Sequence, residues 1–152
     1  MAEVTRKMLS TPNAGWSEFT LGKFRISASY LTDIPFDWLR ACISGLKYVI
    51  PASFFLDAEG STCRIISDWC GTYIIFEKNG SAELTVLNRI GLHRFAEMLL
   101  TDIRNDLEYW IRWCGVSLTD EQYARRKAML TELIAEAEQC LADYMHGSGN
   151  NF

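Results

Sequence analysis

The chain has 152 residues and a mass of 17.4 kDa, with 49% hydrophobic and 22% charged side chains. That size and balance suit one folded domain with a real core and exclude general disorder. The formal charge is −4, and it is unevenly placed: residues 1–90 carry nine Lys/Arg against nine Asp/Glu, whereas residues 91–152 carry six against ten. This is the reverse of the basic stripe a phosphate backbone requires, so no nucleic-acid partner is expected.

Residues 1–15 are polar and end in Thr11-Pro12-Asn13-Ala14-Gly15, which reads as a flexible N-terminal arm. Trp16–Leu21 and Phe24–Tyr30 are extended runs joined by Gly22-Lys23, and Gly at the first of two central positions is what a II′ hairpin turn requires. In the second run Phe24, Ile26, Ala28 and Tyr30 alternate with polar residues, the pattern of a strand with one wet face. Thr32-Asp33-Ile34-Pro35 is a helix entrance, Phe36, Leu39, Ile43 and Leu46 mark its buried side, and Pro51 is the stop after Val49.

From Ala52 to Asn88 the apolar period falls to two. Four strands are predicted: Ala52–Asp57, Thr62–Asp68, Thr72–Glu77 and Ala82–Asn88, punctuated by Ala58-Glu59-Gly60-Ser61, Trp69-Cys70-Gly71 and Asn79-Gly80. Phe54-Phe55 and Ile74-Ile75-Phe76 are apolar at consecutive positions, which predicts central strands covered on both faces.

The stretch from Gly91 to His146 predicts an antiparallel helical pair. Leu92, Phe95, Leu99, Ile103, Leu107, Trp110 and Ile111 line one side of its first helix, which Gly115 would end in a left-handed conformation. Thr119 and Gln122 fit a capping box, so a second helix starts at Asp120 and runs to Gly147-Ser148-Gly149, with Leu130, Leu133, Ile134, Ala137 and Leu141 inward. The predicted fold is α+β: an antiparallel sheet of about six strands in the order β-β-α-β-β-β-β-α-α, covered by helices. A single domain over residues 16–146 is flanked by the arm and a flexible tail, 147–152.

Little in the chain supports catalysis. Only His93 and His146 are available to a nucleophilic triad, and no Gly-x-Ser-x-Gly elbow or glycine-rich phosphate loop occurs. Cys63, Cys70 and His93 lack the short spacing of a structural zinc site. Asp57 and Asp68 sit near strand ends, where turns use acidic residues, and Asp102 and Asp106 fall on a helical face predicted to be solvated. No enzyme activity, cofactor or metal is therefore expected. The five cysteines, none in a Cys-x-x-Cys pair, suit reduced thiols. Arg6 and Lys7 precede no apolar core of signal-peptide length, and no run nears the roughly 20 apolar residues that span a bilayer, so a cytoplasmic protein without membrane contact is expected.

The aromatic residues point to binding. Trp38, Trp69, Tyr109 and Trp113 fall off the predicted core stripes, and Tyr73 lies on a strand beside Trp69. Such residues bury large area at low entropic cost at interfaces and in pockets. The leading expectation is a non-enzymatic protein that binds a protein partner or itself through these aromatics and the acidic helical face. The alternative is a small-molecule binder, nucleotide-like in ligand, with a pocket between sheet and helices lined by Trp69, Tyr73 and Trp113. In size, acidity, α+β order and lack of catalytic signature the chain is similar in type to small inhibitory proteins of phages and mobile elements, including anti-defence and toxin-immunity proteins, which implies action by occupying a partner.

Overall fold

A computed structural model describes residues 7–150. Its elements are β1 (Trp16–Leu21), β2 (Phe24–Ser29), α1 (Ile34–Tyr48), β3 (Ala52–Asp57), β4 (Thr62–Ser67), β5 (Thr72–Lys78), β6 (Ser81–Leu87), α2 (Leu92–Asn105), α3 (Leu107–Ile111) and α4 (Asp120–Asn150). The α+β class and the order of the strands agree with the sequence. The single six-stranded sheet does not: β1 and β2 form a separate antiparallel hairpin, and β3-β4-β5-β6 form a four-stranded antiparallel meander.

Local chemistry explains the turns. Gly22 adopts φ 59° between β1 and β2, and Asn79 and Gly80 adopt φ 51° and 77° between β5 and β6, the left-handed pair that a two-residue I′ turn needs. Helix α1 ends at Val49, left-handed at φ 53°, whose neighbour Ile50 donates its amide to Gly45 O. Gly45 lets α1 approach α2 and β3 closely, since a Cβ there would lie 2.6 Å from Leu92 Cδ2 and 3.0 Å from Ala52 Cβ.

The core gathers on one face of the meander. Trp38 of α1 meets Phe19 of β1 edge-on at 5.6 Å and Phe54 of β3 at 5.4 Å, while Phe95 of α2 stacks on Phe54 at 4.4 Å. The β1–β2 hairpin reaches the same face, with Phe24 against Phe76. Helices α1 and α2 thus cover the sheet, and α4 forms a third layer seated on α1, α2 and α3. Its direction relative to α2 is the antiparallel one expected: His93 lies by Tyr144, Arg104 pairs with Glu138, and Arg126 reaches Ile111 O. Its apolar stripe, centred on Leu130, Ile134 and Ala137, covers helices rather than the sheet.

Three further expectations are corrected. The first helix of the pair breaks at Asp106, at φ −122° and ψ 36°, where the carboxylate engages residues outside the helix. Gly115 is not left-handed; it makes room for Tyr30, whose Cε2 would be 2.7 Å from a Cβ there. The capping box forms as read, with Thr119 N–H on Gln122 Oε1 and Gln122 N–H on Thr119 Oγ1, but α4 continues past Gly147 to Asn150, so the expected tail begins inside a helix. Residues 151–152 lie outside the described residues.

The expected N-terminal arm also changes character. Residues 1–6 lie outside the described residues, but Met8 and Leu9 are buried, and Leu9 bridges Phe19 of β1. The anchor is the pair of carboxylates expected to be solvated. Asp102, only 4% exposed, accepts the Leu9 amide at 2.9 Å, and Asp106 takes Lys7 Nζ at 2.8 Å and Thr11 Oγ1 at 2.9 Å. Two acids one helical turn apart thus bind a strand of their own chain, supplying the acceptors that its buried amides need.

Burial raises the Asp102 carboxyl above its ordinary value, against the pull of the Leu9 and Met8 amides and of Lys7. The native state then holds this proton more tightly than the unfolded chain. The contribution of Asp102 to stability is complete below the ordinary carboxylate value and is lost as pH rises through the raised one. The stability of the wild type minus that of Asp102→Asn, which does not titrate, should therefore be larger near about pH 4 than near about pH 7 in urea unfolding. Asp102→Ala, which orphans the Leu9 amide, should cost about 1–3 kcal/mol. A difference between wild type and Asp102→Asn that grows with pH would contradict this account of the carboxyl.

Candidate interaction face

The meander is covered on one face only. Strand alternation places Ala52, Phe54 and Leu56, Cys63 and Ile65, and Ile74 under the helices, all buried. The opposite, outer face holds the residues between them. Register aligns these into two mainly apolar cross-strand rows, Ser53–Ile66–Tyr73–Val86 and Phe55–Arg64–Ile75–Leu84, beside a third, polar row, Asp57–Thr62–Glu77–Ala82, at the end of the face. Six of the eight residues in the two apolar rows are apolar or aromatic, and among the described residues no helix or loop lies over them. Leu84 is 64% exposed and Val86 46%, with Phe55 exposed and Ile66, Tyr73 and Ile75 half-buried by one another.

The only charge within the two rows is Arg64, whose guanidinium lies 5.7 Å from the Phe55 ring centre. Its face and its donors remain directed by that ring, so the patch offers apolar area with one cationic group set into it. Scattered exposed apolar residues are ordinary, but a contiguous set on a regular face is the form interaction surfaces take. The consecutive apolar residues at Phe54-Phe55 and Ile74-Ile75 were the sequence signal for this face. They correctly report apolarity on both sides of the strands; the cover expected on the second side is absent among the described residues, because α4 lies on the helices instead.

The five aromatics singled out from sequence divide three ways. Trp38 and Trp113 are core residues, contrary to expectation. Trp38 is fully buried with Nε1–H on Phe55 O at 2.9 Å, and Trp113 is 3% exposed with Nε1–H on Thr32 O at 2.8 Å. Both lay off their helical stripes because a second set of neighbours, β1 with β3 for Trp38 and the α1 entrance for Trp113, covers that side. Tyr73 belongs to the outer face. Trp69, 55% exposed, stands in the β4–β5 turn, and Tyr109, 54% exposed, is on α3 at the mouth of a depression of about 400 Å³ lined by Pro12, Gly15, Arg112 and Trp113 among others. Trp69, Tyr73 and Trp113 do not come together in a pocket between sheet and helices, since Tyr73 faces away from the helices and Trp113 is packed at the α3 end.

The remaining chemical candidates are structural. Asp57 Oδ1 accepts the Glu59 amide and Asp68 Oδ1 the amides of Cys70 and Gly71, so both shape turns. Cys63 is buried on the inner face, its thiol pushed up to about 12 by desolvation, whereas Cys70 is exposed in a turn. Among the described residues no cluster of three or more His, Cys, Asp or Glu could hold a metal ion, and no helix is long and apolar enough to cross a membrane. Arg126, from the short basic run on α4, is a tie: its Nε–H donates to Ile111 O at 2.7 Å and its guanidinium lies 4.7 Å over Phe36. The exposed acids Asp120, Glu121, Glu132, Glu136 and Asp143 leave α4 with a solvated negative face.

Comparison with protein-family models, with curated proteins and with solved structures finds no match. The site therefore rests on its own geometry. Trp113→Phe, which removes the indole donor and part of a buried ring while Thr32 O keeps the Ile34 amide, should cost about 1–3 kcal/mol in urea unfolding. Tyr109→Ala should stay within about 0.5 kcal/mol of the wild type, as exposed positions do. Equal losses at the two positions would undo this division into core and surface aromatics.

Proposed function

We propose that this protein is a non-enzymatic binding protein that acts by occupying another protein, and that the outer face of its four-stranded sheet is the contact surface. One observation carries the reading: the two cross-strand rows of Ile66, Tyr73 and Val86 and of Phe55, Ile75 and Leu84 lie on a regular, uncovered face. Apolar area on a rigid sheet loses little conformational entropy when a partner covers it, which favours association. The chemistry a partner would need follows from the face: an apolar, relatively flat surface with an acceptor placed for Arg64. An inhibitor of the anti-defence or immunity type is one form such a function takes, since occupying a partner is the whole of its action.

The acidic face of α4 is the competing contact surface, and the two are separable by substitution. Leu84→Lys with Val86→Lys charges the outer face at exposed positions, and Glu132→Lys with Glu136→Lys reverses charge on α4. Both variants should keep the wild-type circular dichroism and melting behaviour. Partner capture from the source cells should fall at least about tenfold, or about 1.4 kcal/mol, in the sheet variant and stay near wild type in the helix variant. The opposite pattern, or capture untouched by both, would remove the sheet face from this role.

A further inference from the structure

The two edges of the meander are finished differently. Along β3, the Phe55 carbonyl accepts Trp38 Nε1–H and the Asp57 amide donates to Thr32 Oγ1, so side chains occupy part of that edge. Among the described residues nothing corresponds along β6. It is the last strand of the sheet, it pairs without a bulge from Ser81 to Leu87, and it contains no proline and no lysine. The tight Asn79-Gly80 turn makes Lys78 and Ser81 the closing hydrogen-bonded pair, so alternation directs the backbone groups of Ala82, Leu84 and Val86 away from β5. These are also the residues whose side chains stand on the apolar outer face. Proteins ordinarily blunt such an edge, because it is a template for another strand.

We propose that β6 pairs antiparallel with β6 of a second copy about a two-fold axis at Thr85, joining two meanders into one continuous eight-stranded sheet. The proposal extends the reading of the outer face as an interaction surface, because the join sets the two faces side by side. In this register Leu84 lies opposite Val86 of the second copy and Val86 opposite its Leu84, each pair exchanging backbone hydrogen bonds and bringing exposed apolar side chains together. Charge argues against the register of fullest overlap, and an axis at Val86, which would set Glu83 opposite Arg89, leaves little of β6 paired. An axis at Leu84 would set Glu83 diagonal to Glu83 of the second copy. The axis at Thr85 moves the two glutamates apart and brings each toward Arg89, exposed in the turn just beyond β6. Isologous pairing uses one patch twice, and β6 supplies both halves of it.

Sedimentation of the pure full-length protein over a wide concentration series, with residue-resolved hydrogen exchange at each end of it, tests this. The expected result is a dimer whose Leu84 and Val86 amides are protected and become exchangeable as it dissociates on dilution. Glu83→Arg and Arg89→Glu should each weaken the dimer about tenfold, since every dimer carries the pair twice, and the double variant should restore it. A monomer at every concentration overturns the proposal. So does a dimer whose Leu84 and Val86 amides stay unprotected, or one indifferent to the charge reversals. Because sedimentation of the pure protein reads the edge and partner capture reads the face, either reading can fail without the other.

Discussion

The hydrogen bond from Trp38 Nε1–H to the Phe55 carbonyl carries two consequences at once. It satisfies the polar atom of a fully buried indole, which lets the ring sit between Phe19, Phe54 and Phe95 and so fixes α1 on the inner face of the meander. It also spends the edge-directed carbonyl of β3, with Thr32 spending the neighbouring Asp57 amide. Sidedness of the sheet and partial closure of one of its edges therefore come from the same residue. Trp113 repeats the device a step further out: its indole donates to Thr32 O, tying the end of α3 to the segment that partly closes the edge.

Everything added after that builds outward on the helical side. Helices α1 and α2 bury the inner face, α4 seats its stripe on them, and the segment from Lys7 to Thr11 is drawn in by Asp102 and Asp106. Arg126 fastens α4 at its start by donating to the carbonyls of Ile111, the last residue of α3, and of Trp113 just beyond it, while lying over Phe36. No described element is left over for the outer face. The asymmetry of the molecule is thus a matter of how its helices are allotted, with two helical layers on one side of the sheet and none of the described elements on the other.

The sequence was legible where one local interaction decides. The capping box at Thr119 and Gln122, the turns at Gly22 and Asn79-Gly80, and the entrance at Pro35 were read correctly because each depends on residues a few positions apart. It was misleading where the deciding partner is distant. Asp102 and Asp106 look like solvated acids on a polar helical face, and only the return of Leu9 and Lys7, more than ninety residues earlier, makes them anchors. Trp38 and Trp113 look unpartnered for the same reason. The outer face was half legible: consecutive apolar pairs announced two apolar sides, but periodicity reports what a side chain prefers and not whether anything covers it.

That last distinction bears on what the outer face is for. A residue buried on folding repays its apolar character within the monomer, at about 25 cal/mol per Å² removed from water. Leu84, exposed over most of its area on the edge strand, recovers little of this, and Val86 recovers only part. A polar residue of good strand propensity at either position would leave the inner face and its aromatic cluster unchanged, because the two faces of the sheet share no side-chain contacts across a strand. Folding alone therefore does not require this pair to be apolar. The hydrophobic free energy they hold would be recovered if water left the outer face, which is the physical ground of the association proposed for it.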